Sequence, residues 1–210
     1  MEAKTKRALQ LLQRMKRCAG GKTHLASRRK NPFEVLIATV LSQRTRDENT
    51  NAASNALFAK YGSPQKLAAA PLNKIEALVR PAGFYRQKAK RIKEICGILV
   101  EKFGGKVPKK LESLLGLPGV GRKTANCVLV YGFGIPAVPV DTHVHRLANL
   151  FGIVKTKTPR ETEFALAKII PKSHWLELNE TFVRFGQQVC KPGMDKRECL
   201  AEMEKRLHRG

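Results

Sequence analysis

The sequence predicts an all-α protein, long enough for one compact unit or two small domains. Apolar residues recur at helical spacing along nearly the whole 210-residue chain, in stretches separated by glycine or proline stops. The strict alternation that marks strands is nearly absent. Apolar residues make up 42% of the chain, enough for a core, and no internal repeat or low-complexity linker interrupts it.

Taken in order, Met1 to Cys18 carries Leu9, Leu11, Leu12 and Met15 on one face. It reads as an ordinary amphipathic helix, although its basic residues resemble those of an organelle transit sequence. Helices are then expected over Pro32–Leu41, Asn49–Tyr61, Leu72–Val79, Lys88–Phe103, Leu111–Leu115 and Arg122–Phe133. Gly132, Gly134, Pro136 and Pro139 mark a natural crossing point. Beyond it, helices fit Thr142–Phe151, Pro159–Ile170, Trp175–Cys190 and Lys196–His208.

The charge balance points to a class of partner. Lys and Arg number 40 against 17 Asp and Glu, a net +23. So large an excess implies a polyanionic partner, with nucleic acid the default, although a merely solubilising charge would look the same. The most apolar run, Val35 to Leu41, is far short of the roughly 20 residues that a membrane helix needs. Five cysteines without a dense framework suit an intracellular reducing compartment better than secretion.

The segment Leu114-Leu115-Gly116-Leu117-Pro118-Gly119-Val120-Gly121-Arg122-Lys123-Thr124-Ala125-Asn126 is the most specific. It reads as a helix end, a glycine-bearing turn and a helix start. Without Cβ atoms, Gly119 and Gly121 are free to take positive φ and let an anion approach their amides. The helix start that follows suits a phosphate, and Lys123 sits in its first turn. Eighteen residues later comes Asp141, in Val138-Pro139-Val140-Asp141-Thr142-His143.

Lys123 admits two readings. An amine here either holds a phosphate as a point charge or, when neutral, attacks an electrophilic carbon. The neighbouring Arg122 and the positive helix end both push its pKa down. Asp141 reads as an N-cap, as an anion stabilising developing positive charge, or as both.

These segments resemble the helix-hairpin-helix DNA glycosylases, the endonuclease III branch above all. Val40-Leu41-Ser42-Gln43-Arg44-Thr45-Arg46-Asp47 resembles the family's early helix-turn segment. Ala82-Gly83-Phe84-Tyr85-Arg86-Gln87-Lys88-Ala89 resembles its second DNA-contacting loop, and Phe185-Gly186-Gln187-Gln188-Val189-Cys190 continues the likeness, which runs from about Asn31 to Cys190. The resemblance implies a six-helix barrel over residues 26–134, with the hairpin motif at 111–133. Residues 1–25 and 135–210 form the second helical domain, and a DNA-binding cleft lies between the two.

It also implies roles. Lys123 is the expected nucleophile and Asp141 its carboxylate partner. Gln43, Arg44, Thr45, Phe84, Lys88, Gly119, Gly121 and Arg122 are expected at the DNA. Arg44 stands where the family usually has Gln, which leaves open whether Gln43 or Arg44 fills the hole left by a flipped nucleotide. Phe84 is expected to wedge beside the opposite base, a core phenylalanine being the alternative. Asp47 and His143 are expected to line or support the pocket, or to serve in the core or as caps.

The implied activity is a bifunctional glycosylase and abasic-site lyase acting on double-stranded DNA as an intracellular monomer. It would release oxidised pyrimidines of the thymine glycol type and cut the strand 3′ to the site by β-elimination. Alternatives are another lesion (mismatched thymine or uracil, or oxidised guanine) and a non-catalytic DNA-binding module. The family commonly holds a [4Fe–4S] cluster on four cysteines spaced C-x6-C-x2-C-x5-C. Here Cys190 is followed only by Cys199, at the wrong spacing. No cluster is expected, because four thiolates are required. Cys18, Cys96 and Cys127 read as small buried hydrophobes. Zinc on Cys190, Cys199 and His208 has poor spacing. The loop 191–198 is then held by packing, or is mobile.

Overall fold

The structure is a computed structural model and describes residues 2–20 and 31–208. Among the described residues it is all-helical, with no strand. The chain divides into two compact units, Leu25–Gly134 and Met1–His24 with Ile135–Gly210. The domain boundary expected at residues 25–26 lies outside the described residues.

The Leu25–Gly134 unit is built around α2 (Pro32–Ser42). Eight of its eleven residues are buried, Phe33 and every residue from Val35 to Leu41, so the helix is apolar on all sides and sits inside. Asn31 caps it, its side chain accepting from Phe33 N at 2.9 Å, and Pro32 takes the first turn, where its missing N–H costs nothing. α3 (Asp47–Lys60), α4 (Pro64–Ala69), α5 (Leu72–Val79), α6 (Tyr85–Phe103), α7 (Leu111–Leu115) and α8 (Arg122–Cys127) follow.

α4 was not anticipated from periodicity, being only six residues long. Ser63 at its N-cap and Pro64 behind it were the available signal. α6 begins at Tyr85, three residues before the expected Lys88, and α3 begins at Asp47 rather than Asn49. The helix expected to run unbroken from Arg122 to Phe133 loosens into a π-turn over Val128–Gly132, which packs on α2. There a Cβ on Gly132 would stand 2.8 Å from Pro32 Cα.

α6 ties this unit together through two lysines. Lys93 Nζ donates to the carbonyls of Ala68 and Ala70, both at 2.6 Å, closing the end of α4. Lys88 does the same for the end of α2. Each places a cation against the negative end of a helix dipole and occupies carbonyls that the helix leaves unpaired.

The second unit gathers α1 (Glu2–Cys18), α9 (Thr142–Leu150), α10 (Pro159–Ile169), α11 (Trp175–Gln188) and α12 (Lys196–Leu207). Ala8, Leu12, Met15 and Cys18 of α1 join Leu147, Phe182, Phe185 and Met203 in one core. Lys16–Glu177 and Arg14–Glu204 ion pairs lie at its exposed rim, where such pairs add little. α12 opens with a capping box, Glu198 N donating to Asp195 Oδ1 at 2.9 Å and Asp195 N to Glu198 Oε2 at 2.7 Å.

Cys190, just beyond α11, and Cys199, on α12, are joined in a disulfide. Sequence spacing presents these two cysteines only as candidate metal ligands and does not reveal their pairing. The loop 191–198 is fastened at its base by the disulfide, by the capping box and by Arg146, whose Nη2 donates to Cys190 O at 2.5 Å. Among the described residues no helix is long and apolar enough to cross a membrane.

Candidate active site and its adjoining turns

The turn after α2 is closed by Thr45 N donating to Ser42 O at 3.2 Å. Gln43 has φ −58° and ψ 118°, and Arg44 has φ 51°. These angles describe a type II turn with arginine at its third position. Glycine normally occupies that position, because a Cβ crowds the backbone at positive φ. The Arg44 side chain is exposed. Gln43 is half-buried and both ends of its amide are engaged: Nε2 donates to Gly119 O at 3.1 Å, and Oε1 accepts from Arg91 Nη1 at 3.4 Å.

Phe84, immediately before α6, is the other non-glycine residue at positive φ among those described (58°), and it is 61% exposed. It is therefore not a core phenylalanine. The two turns abut, since a Cβ on Gly83 would stand 3.2 Å from the Arg44 carbonyl oxygen. With Gln87, Lys88 and Arg91 they line a cavity of about 230 Å³.

Lys88 departs from its expected place at the DNA. It is only 3% exposed, and its ammonium donates inward to Leu41 O at 2.7 Å and Thr45 Oγ1 at 2.6 Å. Burial, and secondarily the Arg91 charge, push its pKa down to about 8. The basic run from Arg86 to Arg91 hides this inward turn. The helical spacing of residues 88, 92, 95 and 99, all on the buried face of α6, is the signal that could have found it.

The hairpin between α7 and α8 is held by Val120 N donating to Leu117 O at 3.1 Å. Gly119 has φ +70°, and a Cβ there would run into the Arg91 side chain. Gly121 differs from expectation: its φ is −85° with ψ 176°, ordinary extended backbone. A Cβ on it would meet nothing within 4 Å, so open space rather than a special backbone angle characterises this position. Gly121 is the N-cap of α8, and Arg122 and Lys123, both half-buried, are the helix's first two residues. An anion approaching Gly121 faces the positive end of the helix dipole and the side chains of Arg122 and Lys123.

Asp141 and His143 belong to the second unit, at the start of α9. Asp141 is half-buried and is the N-cap, its Oδ1 accepting from Val144 N at 2.9 Å. Capping fixes the carboxylate without consuming its second oxygen. His143 packs against α11, where a Cβ on Gly186 would overlap the imidazole. Asp47 stands exposed at the first position of α3, a favourable place for a negative charge.

The cysteines do not fit the four-thiolate cluster that the family resemblance raises. Only Cys18, Cys190 and Cys199 belong to the unit that would hold it, and the latter two are bonded to each other. Cys96 and Cys127 belong to the other unit. No group of three or more metal-ligating side chains occurs among the described residues.

Comparison with known proteins gives a consistent result. The family model described as HhH-GPD superfamily base excision DNA repair protein matches residues 37–172. Endonuclease III of Thermotoga maritima is 59% identical over 162 residues, covering 77% of this chain and 76% of that protein. Endonuclease III of Bacillus subtilis is 40% identical over 162 residues, covering 77% and 74%. Among solved structures, a non-covalent endonuclease III–DNA complex aligns with a TM-score of 0.85 at 36% identity, covering 97% of this chain and 98% of that one. A trapped endonuclease III–DNA covalent intermediate, the estranged-adenine complex, aligns with a TM-score of 0.84 at 37% identity over the same shares.

Proposed function

This chain belongs to the HhH-GPD superfamily of base excision DNA repair proteins and is a DNA glycosylase and abasic-site lyase of the endonuclease III kind; from that premise we propose that it removes oxidised pyrimidines of the thymine glycol type, with Lys123 as nucleophile and Asp141 as its carboxylate partner. The observation that carries the assignment of Lys123 is its place in the first turn of α8, directly behind a hairpin with open space at Gly121. A phosphate seated there would bring the attached sugar within reach of an amine on the same turn.

In this reading the neutral Lys123 amine attacks C1′ of the extruded nucleotide. The C1′–N bond breaks and the base leaves, taking up a proton. Asp141 stabilises the positive charge that develops on the sugar and accepts a proton from the attacking nitrogen. The C1′–O4′ bond then breaks, its electrons going to the ring oxygen, which takes up a proton; the resulting open-chain iminium acidifies C2′–H. Loss of that proton expels the 3′ phosphate by β-elimination, and water then releases the lysine.

Arg44 is the side chain that fills the vacated stack, because it is exposed on the turn while Gln43 is held by Gly119 and Arg91. Phe84, exposed beside it, wedges next to the opposite base. The substrate is double-stranded DNA carrying a damaged base, bound by a monomer. Arg122, Gly119 and Gly121 form the phosphate seat, and the net +23 supplies general attraction.

Borohydride reduction during incubation with abasic-site duplex tests the chemistry. The intact chain should give a covalent protein–DNA adduct and Lys123→Gln none; an adduct undiminished in Lys123→Gln refutes the assignment. A panel of single-lesion duplexes tests the substrate, and preferential release of a mismatched or purine base would overturn the pyrimidine assignment.

A further inference from the structure

The turn that presents Arg44 is unusual in being held where its sequence does not favour it. An arginine at the glycine position of a type II turn is strained and persists only when its surroundings fix it. The surroundings here are specific. Lys88 Nζ bonds Leu41 O just before the turn and Thr45 Oγ1 at its last residue. Thr45 Oγ1 in turn donates to Gln43 O at 3.3 Å. A single ammonium on α6 thus grips both flanks of the four-residue turn. No carboxylate takes part in these bonds, and the acceptors are a helix-end carbonyl and one hydroxyl.

We propose that Lys88 is a positioning residue for nucleotide extrusion, clamping the Ser42–Thr45 turn so that Arg44 is presented to the duplex. This rests on the reading of the chain as a glycosylase and lyase whose Arg44 fills the gap. Lys88 itself touches neither DNA nor the reacting sugar. Its contribution matters only where a nucleotide must leave a base stack, since a single-stranded abasic site has no stack to fill.

The test compares two substrates that need the same Schiff-base chemistry. One is a duplex with an abasic site opposite guanine; the other is the same abasic strand alone. Borohydride trapping rates are measured on the full chain and on Lys88→Met, Thr45→Val, Thr45→Ser and the Lys88→Met/Thr45→Val double variant. The duplex-to-single-strand rate ratio should fall about tenfold in Lys88→Met and in Thr45→Val, the scale expected for losing a charge-assisted hydrogen bond. Thr45→Ser, which keeps the hydroxyl, should restore it. The double variant should lose no more than either single one, because both remove the same clamp.

A ratio that stays constant in Thr45→Val, or losses that add in the double variant, would overturn the proposal. Thr45→Val decides the matter alone if Lys88→Met does not fold. A parent protein that traps neither substrate would instead sink the catalytic reading, and this inference with it.

Discussion

Breaking the Cys190–Cys199 bond should loosen the end of the chain by an amount that loop length sets. The two cysteines are 9 residues apart, and both are buried in the core that also holds Met15, Phe185 and Met203. A cross-link closing a loop of that size removes about 2.5 kcal/mol of conformational freedom from the unfolded chain in the entropy model. For a protein of about 200 residues that corresponds to a fall in melting temperature of roughly 5–10 °C. The assay is a thermal melt with and without a thiol reductant, alongside Cys190→Ala/Cys199→Ala, whose melting should not respond to reductant. Thiol titration of the unfolded, unreduced chain should find three groups, Cys18, Cys96 and Cys127. Five titratable thiols, or a reductant shift that persists in the double variant, would refute the reasoning. So would a brown protein containing iron, because thiolates holding a cluster cannot be bonded to each other.

Further outcomes follow from single contacts. Gly186→Ala drives a methyl into the His143 ring and should cost about 1–3 kcal/mol in denaturant unfolding; a neutral result would show that α9 shifts freely away from α11. Asp141→Asn should retain the cap and the DNA affinity while slowing base release by orders of magnitude, and Asp141→Ala should in addition lose about 1 kcal/mol of stability. Normal turnover in Asp141→Asn would contradict its role. Burial holds Lys88 at about 8 in the folded protein, below the 10.5 of a free lysine. Between those values the unfolded chain binds the extra proton, so this group makes unfolding free energy rise with pH across that window and contributes no slope below it. The pH profile of Lys88→Met should lack that rise, and parallel profiles would refute the burial of the charge.

Much of the helical order was legible because apolar residues and stops agree along the chain. Pro32 to Ser42 announces a buried helix by having no polar side, and Leu72–Val79 and Leu111–Leu115 begin and end where the periodicity says. Pro64–Ala69 escaped because one and a half turns cannot display a period. The disulfide escaped because its spacing carries no signature: Cys190 and Cys199 are brought together by the fold of two helices, not by local sequence. At the site, the types of Lys123 and Asp141 and the glycine of the hairpin could be read directly. Conformation could not. Nothing in Gln43-Arg44-Thr45 signals a left-handed arginine, and nothing in Gly121 told that its φ would be ordinary. Lys88 was misplaced because a lysine in a basic run resembles a solvated one unless helix phase is given more weight than charge.

Two of these unread features coincide. Arg44 and Phe84, the only non-glycine residues at positive φ among those described, both expose their side chains on abutting turns of one unit. Relaxing either backbone would re-aim its side chain, so the strain is retained only because rigid elements enforce it. Those elements are α2, with eight of its eleven residues buried, and α6, whose Ala89, Ile92 and Ile95 are buried. The side chains proposed to enter DNA are therefore carried on short turns, each joined at one end to a well-buried helix. Such a scaffold would oppose the stacking force of the duplex with a wedge already in place, so that less ordering is left to be done at the moment of extrusion.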